Sequence, residues 1–268
     1  MSQEFLIICL TYAPGIFFTS ILGLCFGGYS TMAAYRLPRN ERWFGLKPRC
    51  LHCNHVLYLK DFMPIISYFW NKNKCKYCGG PIENQLVYLF VEVATLILCV
   101  LCFLQFDFSE LYLLTTGLVV TAVVIVATDV DKHFIADKSI TLVLLFGIIY
   151  RVLLDGTIYN MLYGVFGFLI AGMIIRHLYF FFHKNSTDGN DYLKFSTDNK
   201  FSGAGFQYVK LLTATGAWIG VELSLLFAFI VTLLIYLLLT YMVMKISKAK
   251  EIPFSIPIIT ALLCSVMQ

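Results

Sequence analysis

The amino-acid sequence predicts an all-α polytopic membrane protein with about eight transmembrane helices and one small polar insert. Three observations carry this prediction. Of the 268 residues, 59% are hydrophobic and only 13% are charged, against about 45–50% and about 25% in average soluble domains. That is about 158 apolar residues, close to the about 160 that eight membrane helices of about 20 residues would need. The apolar residues also come in continuous runs rather than alternating, which excludes an outer-membrane barrel. A soluble enzyme, a disordered chain and a disulfide-rich secreted domain are excluded on the same composition.

The elements follow in order. Apolar runs predict helices near 6–35, 84–105, 111–128, 139–154, 158–182, 206–221, 223–244 and 253–267. The chain divides into a first transmembrane helix (1–35), an insert (36–83) and a helical membrane core with seven further spans (84–268). The first run is read as a retained helix rather than a signal peptide, because Glu4 is the only charge before Arg36 and no basic segment precedes the apolar core. Its Gly23-x-x-x-Gly27 pair, followed by Gly28, predicts close helix packing. The last run opens at Pro253, where proline suits a first helical turn. The 183–205 segment, rich in Asn, Asp, Ser and Lys, reads as a mobile loop.

Charge placement orients these spans. Nine Lys and Arg fall between Arg36 and Lys76, and others flank later runs at Lys132, Lys138, Lys184, Lys194, Lys200, Lys245, Lys248 and Lys250. The positive-inside rule places the insert and the loops 129–138, 183–205 and 245–252 on the cytoplasmic side. The loops 106–110, 155–157 and near Glu222, with both termini, fall outside. Arg151 is the main exception, close to an outer end where it would snorkel. The net charge of +4 implies no nucleic-acid partner.

The nine cysteines fall into two sets. Cys9, Cys25, Cys99, Cys102 and Cys264 sit in apolar runs and read as small buried hydrophobes. The insert carries Cys50-Leu-His-Cys53, then 21 residues, then Cys75-Lys-Tyr-Cys78. Two C-x-x-C knuckles each aim two thiolates at one point, and two such turns complete a tetrahedron of sulfur around zinc. The alternatives are two disulfides, which a cytoplasmic placement disfavours, or free thiols. Four sulfurs would leave no open coordination site, so the zinc is expected to be structural. His52 and His55 read as surface residues.

Acidic residues gather after the third run, at Asp129, Asp131 and Asp137. They are either a helix cap and solvated turn, or the start of an acid–base site. A carboxylate at a bilayer edge is partly desolvated and suited to proton transfer. An aspartic protease pairs two such groups, one ionised and one holding the proton.

On these residues the chain resembles the type IV prepilin leader peptidases, bifunctional membrane aspartic proteases and N-methyltransferases of the GxGD type. Tyr35-Arg36-Leu37-Pro38 is similar to the family's YRLP, and the paired C-x-x-C motifs resemble its zinc domain. Asp61-Phe62-Met63-Pro64-Ile65-Ile66-Ser67 resembles DNIPxxS, with Phe62 for Asn. Ile82 and Tyr88 to Glu92 resemble I…YPxVE, with Leu89 for proline. Asp129 to Asp137 resembles DxDxxxxPD, with Ala136 for proline. Lys210 to Gly220 resembles KLLAALGAWLG without a gap, and Pro253-Phe254 resembles PFGP.

The resemblance implies cleavage of the leader of pilin-like precursor proteins in the bacterial inner membrane, with Asp129 as a catalytic residue and the four-Cys insert and acidic site on the cytoplasmic side. It also implies N-methylation of the new N-terminus with S-adenosylmethionine, and pilin-like precursors and membrane lipid as partners. One departure stands out. Where the family has GxGDxK, this chain reads Gly205-Phe206-Gln207-Tyr208-Val209-Lys210, so Tyr208 takes the place of the second Asp. A register on Gly203 and Gly205 puts Phe206 there instead. Thr31 and Phe62 replace two Asn of the family's pattern, which bears on methylation. Asp137, Asp188, Asp191 or Asp198 could substitute for the missing acid. The alternative is an impaired or inactive relative that binds prepilins or supports pilus or type II secretion assembly. A transporter or channel would carry charges midway through several spans, and such residues are scarce here.

Overall fold

The structure is a computed structural model. It describes residues 3–39, 53, 55, 74–80, 85–132, 134–155, 158–183, 204–222, 226, 228–235 and 255–267. Apart from a single bridge residue, Lys74, every regular element among the described residues is helical. They are α1 (Gln3–Arg36) with a 3-10 turn (Leu37–Arg39), α2 (Gln85–Phe106), α3 (Glu110–Lys132), α4 (Asp137–Asp155), α5 (Tyr159–His183), α6 (Ala204–Ile219) and α7 (Ser255–Val266). Residues 228–235 are also helical.

Local chemistry sets several of these ends. The Tyr112 amide donates to Ser109 Oγ at 3.3 Å, so Ser109 caps α3. Glu110 opens that helix and Lys132 closes it, each matching the sign of the helix dipole at its end. Threonines within the spans donate back to carbonyls three or four residues earlier, as Thr115, Thr121, Thr213 and Thr260 do. A hydroxyl satisfied within its own helix is acceptable in hydrocarbon, where water offers nothing.

The described chain forms two compact units, Met1–Ala127 and Thr128–Gln268. In the first, α1 lies along α2. A Cβ on Gly23 would stand 2.8 Å from Leu96 Cα, and one on Gly27 would stand 2.9 Å from Glu92 Cα. The two backbones meet where the Gly23-x-x-x-Gly27 pair predicts close packing, because only glycine leaves room there. Ala34, Val91 and Ala127 form a small core at one end. At the other, Phe103, Phe108 and Tyr112 pack ring to ring.

In the second unit α6 is the central element, packed by α4, α5 and α7. Trp218 is wholly buried. Its Nε1 donates to the Val143 carbonyl at 2.8 Å, and its ring lies 4.8 Å from that of Tyr150. These bonds tie α6 to α4 in a fixed register.

Three expectations change. Four described helices are long and apolar enough to cross a membrane, within Tyr12–Arg36, Leu89–Phe106, Glu110–Lys132 and Tyr159–His177. Eight spans are therefore not reached among the described residues. Helix α6 has 16 residues, about 24 Å at about 1.5 Å each, and α4 carries Asp137, Lys138, Arg151 and Asp155 in its 19 residues. Arg151 does not snorkel. It is 1% exposed and bound to the end of α6. Cys99 and Cys102 are buried as expected, but Cys25 and Cys264 are exposed. Hydropathy cannot separate a helix face that meets protein from one that meets lipid, since both are apolar. Cys9 and the 184–203 stretch lie outside the described residues.

Candidate active site and thiol cluster

Asp129 lies in the last turn of α3 and is fully buried. Tyr208, in the second turn of α6, donates its hydroxyl to Asp129 Oδ1 at 2.8 Å. The backbone amide of Ser255, the first residue of α7, donates to Oδ2 at 3.1 Å. One carboxylate thus joins three helices of the second unit. The amide is one of the donors that every helix start leaves without an internal partner, and the dipole of α7 favours negative charge there.

The neighbouring residue of α6 ties in the next segment. Gln207 Oε1 accepts from the Ile135 amide at 3.3 Å. Together Gln207 and Tyr208 grip both ends of the Asp129–Ile135 stretch. Two residues on, Lys210 pairs with Asp137 at 2.7 Å, in an exposed ion pair. Both Lys210 and Arg176 lie over the Phe206 ring, at 5.3 Å and 5.5 Å from its centroid.

Two buried polar oxygens complete the picture. Asp129 accepts two hydrogen bonds, where a carboxylate has about four acceptor sites. The Ser255 hydroxyl is buried with no hydrogen-bond partner among the described residues. An ionised carboxylate is a base, and a phenol of ordinary pKa about 10 keeps its proton as a donor at neutral pH. The pair therefore offers one acceptor and one donor in contact.

The structure brings Asp129 and Tyr208 together and turns Asp137 to Lys210 instead. Asp188, Asp191 and Asp198 lie outside the described residues. Ser255 escapes a reading of the sequence, because a lone serine after Pro253-Phe254 carries no signal of its own. Gln207 registers in the sequence only as a missing glycine, while its tie to Ile135 emerges from the fold.

In the insert, the sulfurs of Cys53, Cys75 and Cys78 all lie within 4.8 Å of one another, an arrangement that could hold a metal ion. The Gly79 amide donates to the Cys75 carbonyl at 2.8 Å, and the Cys75 amide to the Gly80 carbonyl at 2.9 Å. Gly79 has φ +68°, so this tight knuckle needs glycine. His55 is exposed and stacks on Tyr77 at 3.8 Å between centroids. Three thiols at this spacing fit three corners of a tetrahedral site. Cys50 and His52 lie outside the described residues.

Fold and site together define a helical membrane protein with a buried acidic site and a separate thiol cluster. Residues 21–106 match the model described as Bacterial Peptidase A24 N-terminal domain. Similar proteins named prepilin leader peptidase/N-methyltransferase come from three bacteria. That of Myxococcus xanthus is 30% identical over 135 residues, 48% of this chain and 39% of its own. That of Aeromonas hydrophila is 29% identical over 180 residues, 64% and 53% of the two chains. That of Dichelobacter nodosus is 28% identical over 234 residues, 77% and 76%. The chain is a relative of the prepilin leader peptidase/N-methyltransferase family. The matched stretch spans 39% and 53% of the lengths of the first two of these relatives. No solved structure matches.

Proposed function

We propose that this membrane protein receives pilin-like precursor proteins at the Asp129 site, and that its leader peptidase activity is impaired relative to a two-carboxylate enzyme. One observation carries this reading. The Tyr208 hydroxyl touches Asp129 at 2.8 Å, where the resemblance calls for a second acid. An aspartic dyad works by sharing one proton between two carboxylates about 3 Å apart. A phenol does not exchange roles with its partner in that way, so the symmetric mechanism is lost while the contact is kept.

The site is placed on the cytoplasmic side of a bacterial inner membrane by the distribution of Lys and Arg. The thiol cluster is assigned to structural zinc, with Cys50 as the fourth ligand to Cys53, Cys75 and Cys78. S-adenosylmethionine and methyl transfer enter only through the relatives' name, and support for pilus or type II secretion assembly would follow from precursor binding.

The test uses the full chain in lipid nanodiscs with a pilin-like precursor, alongside Asp129→Ala and Tyr208→Asp. Binding is expected in all three. Cleavage by the native chain is expected about 100-fold or more below that of Tyr208→Asp, the scale of losing one acid–base partner. Native cleavage that Tyr208→Asp does not improve would overturn the impairment, and absence of binding would overturn the whole reading. Metal analysis of the same preparation is expected to find about one zinc per chain, lost in Cys75→Ser. Metal-free protein purified without chelators would remove the zinc assignment.

A further inference from the structure

We infer that Asp129, Tyr208 and Ser255 form an asymmetric hydrolytic site, in which Tyr208 is a catalytic donor to the scissile carbonyl and the Ser255 hydroxyl holds the attacking water. This rests on the proposed reception of a precursor and goes beyond it, because it says what the altered site still does.

The roles follow from what each atom offers. In a dyad the protonated partner has one task during attack: it donates a hydrogen bond to the carbonyl oxygen as negative charge grows there. A neutral phenol performs that task, and the Tyr208 hydroxyl already points its proton at the site. The base needs a carboxylate held in place. Asp129 has that, with the Ser255 amide on Oδ2 and full burial around it.

The water position is marked by the Ser255 hydroxyl. It is wholly buried and has no partner. It belongs to the residue whose amide already grips Asp129 Oδ2. A buried hydroxyl left unmade costs about 1–3 kcal/mol, and a water bridging it to the carboxylate would remove that cost. No other group in the mechanism uses this oxygen.

The chemistry balances. Asp129 takes a proton from the water as its oxygen bonds to the carbonyl carbon, and the carbonyl π pair becomes an oxyanion held by the Tyr208 hydroxyl. The carbonyl then re-forms as the C–N bond breaks, and Asp129 passes its proton to the leaving nitrogen. The products are a carboxylic acid on the leader and a free amine on the mature segment. The proton on Tyr208 never leaves, so the site does not need to reset.

Single-turnover cleavage of a pilin-like precursor in nanodiscs tests this, with native protein, Tyr208→Phe, Ser255→Ala and Asp129→Ala. The native rate is expected to be slow but above that of Asp129→Ala. Tyr208→Phe should fall about 100-fold, the scale of removing one oxyanion donor, and Ser255→Ala less. Fluorinated tyrosine at position 208, whose phenol loses its proton at lower pH, should move the alkaline limb of the rate profile to lower pH. A merely structural tyrosine would leave that limb in place. Cleavage by Tyr208→Phe at the native rate would overturn the inference. So would a native rate no different from Asp129→Ala with precursor still bound, and that outcome leaves the precursor-binding reading standing.

Discussion

The two ends of α6 each meet a buried charge, and they treat it differently. At the C-terminal end, Arg151 donates from Nε to the Trp218 carbonyl at 2.7 Å and from Nη2 to the Ile219 carbonyl, and it pairs through Nη1 with Glu222 at 2.8 Å. A cation there suits both the unsatisfied carbonyls and the negative end of the dipole. Gly220, at φ +62°, turns the chain away, and a Cβ on it would stand 3.3 Å from the guanidinium. At the N-terminal end, Asp129 has a phenol and one amide, with an unpartnered hydroxyl beside it. The first end is chemically closed. The second keeps spare hydrogen-bonding capacity in a buried place, which is the condition a reactive site needs. A charge that only holds helices together has its donors spoken for, whereas one that must meet a substrate has unused capacity.

The contrast can be broken from either side. Arg151→Leu should have the largest effect, a loss of about 3 kcal/mol, because it strips the end of α6 of its buried partner. Thermal unfolding in detergent would read it, and a loss under about 1 kcal/mol would show that the clasp is not structural. Asp129→Asn comes next, at about 2 kcal/mol. The amide can accept from one of its two donors, but its NH2 group then faces the other. Equal stability of Asp129→Asn and native protein would mean that the carboxylate does not anchor α7. Glu222→Gln should cost least, about 0.5 kcal/mol or less, because an ion pair reaching solvent is screened. The Glu222 side chain is 46% exposed, so most of the Arg151 effect must come from the two backbone carbonyls. A Glu222→Gln loss as large as that of Arg151→Leu would reverse that assignment.

Much of this architecture was legible from residue order. The length of the apolar runs marked α1, α2, α3 and α5, and Gly23 with Gly27 marked the α1–α2 contact, because small residues at that interval have one main use between helices. The C-x-x-C spacing marked Cys53, Cys75 and Cys78. Asp129 was marked by its place at the end of an apolar run. Arg151 was misread, because a charge near the end of a run looks the same whether it reaches for water or for another helix's carbonyls.

The sequence by itself determined that this is a helical membrane protein with acids at a helix end and thiols at metal spacing, since those follow from composition and local intervals. Only the tertiary structure decided that Tyr208 lies against Asp129, that Asp137 goes to Lys210, and that Ser255 enters the site. Those pairings join residues 79, 73 and 126 positions apart. No local interval carries such information, because it arises only when α3, α6 and α7 are packed around one carboxylate.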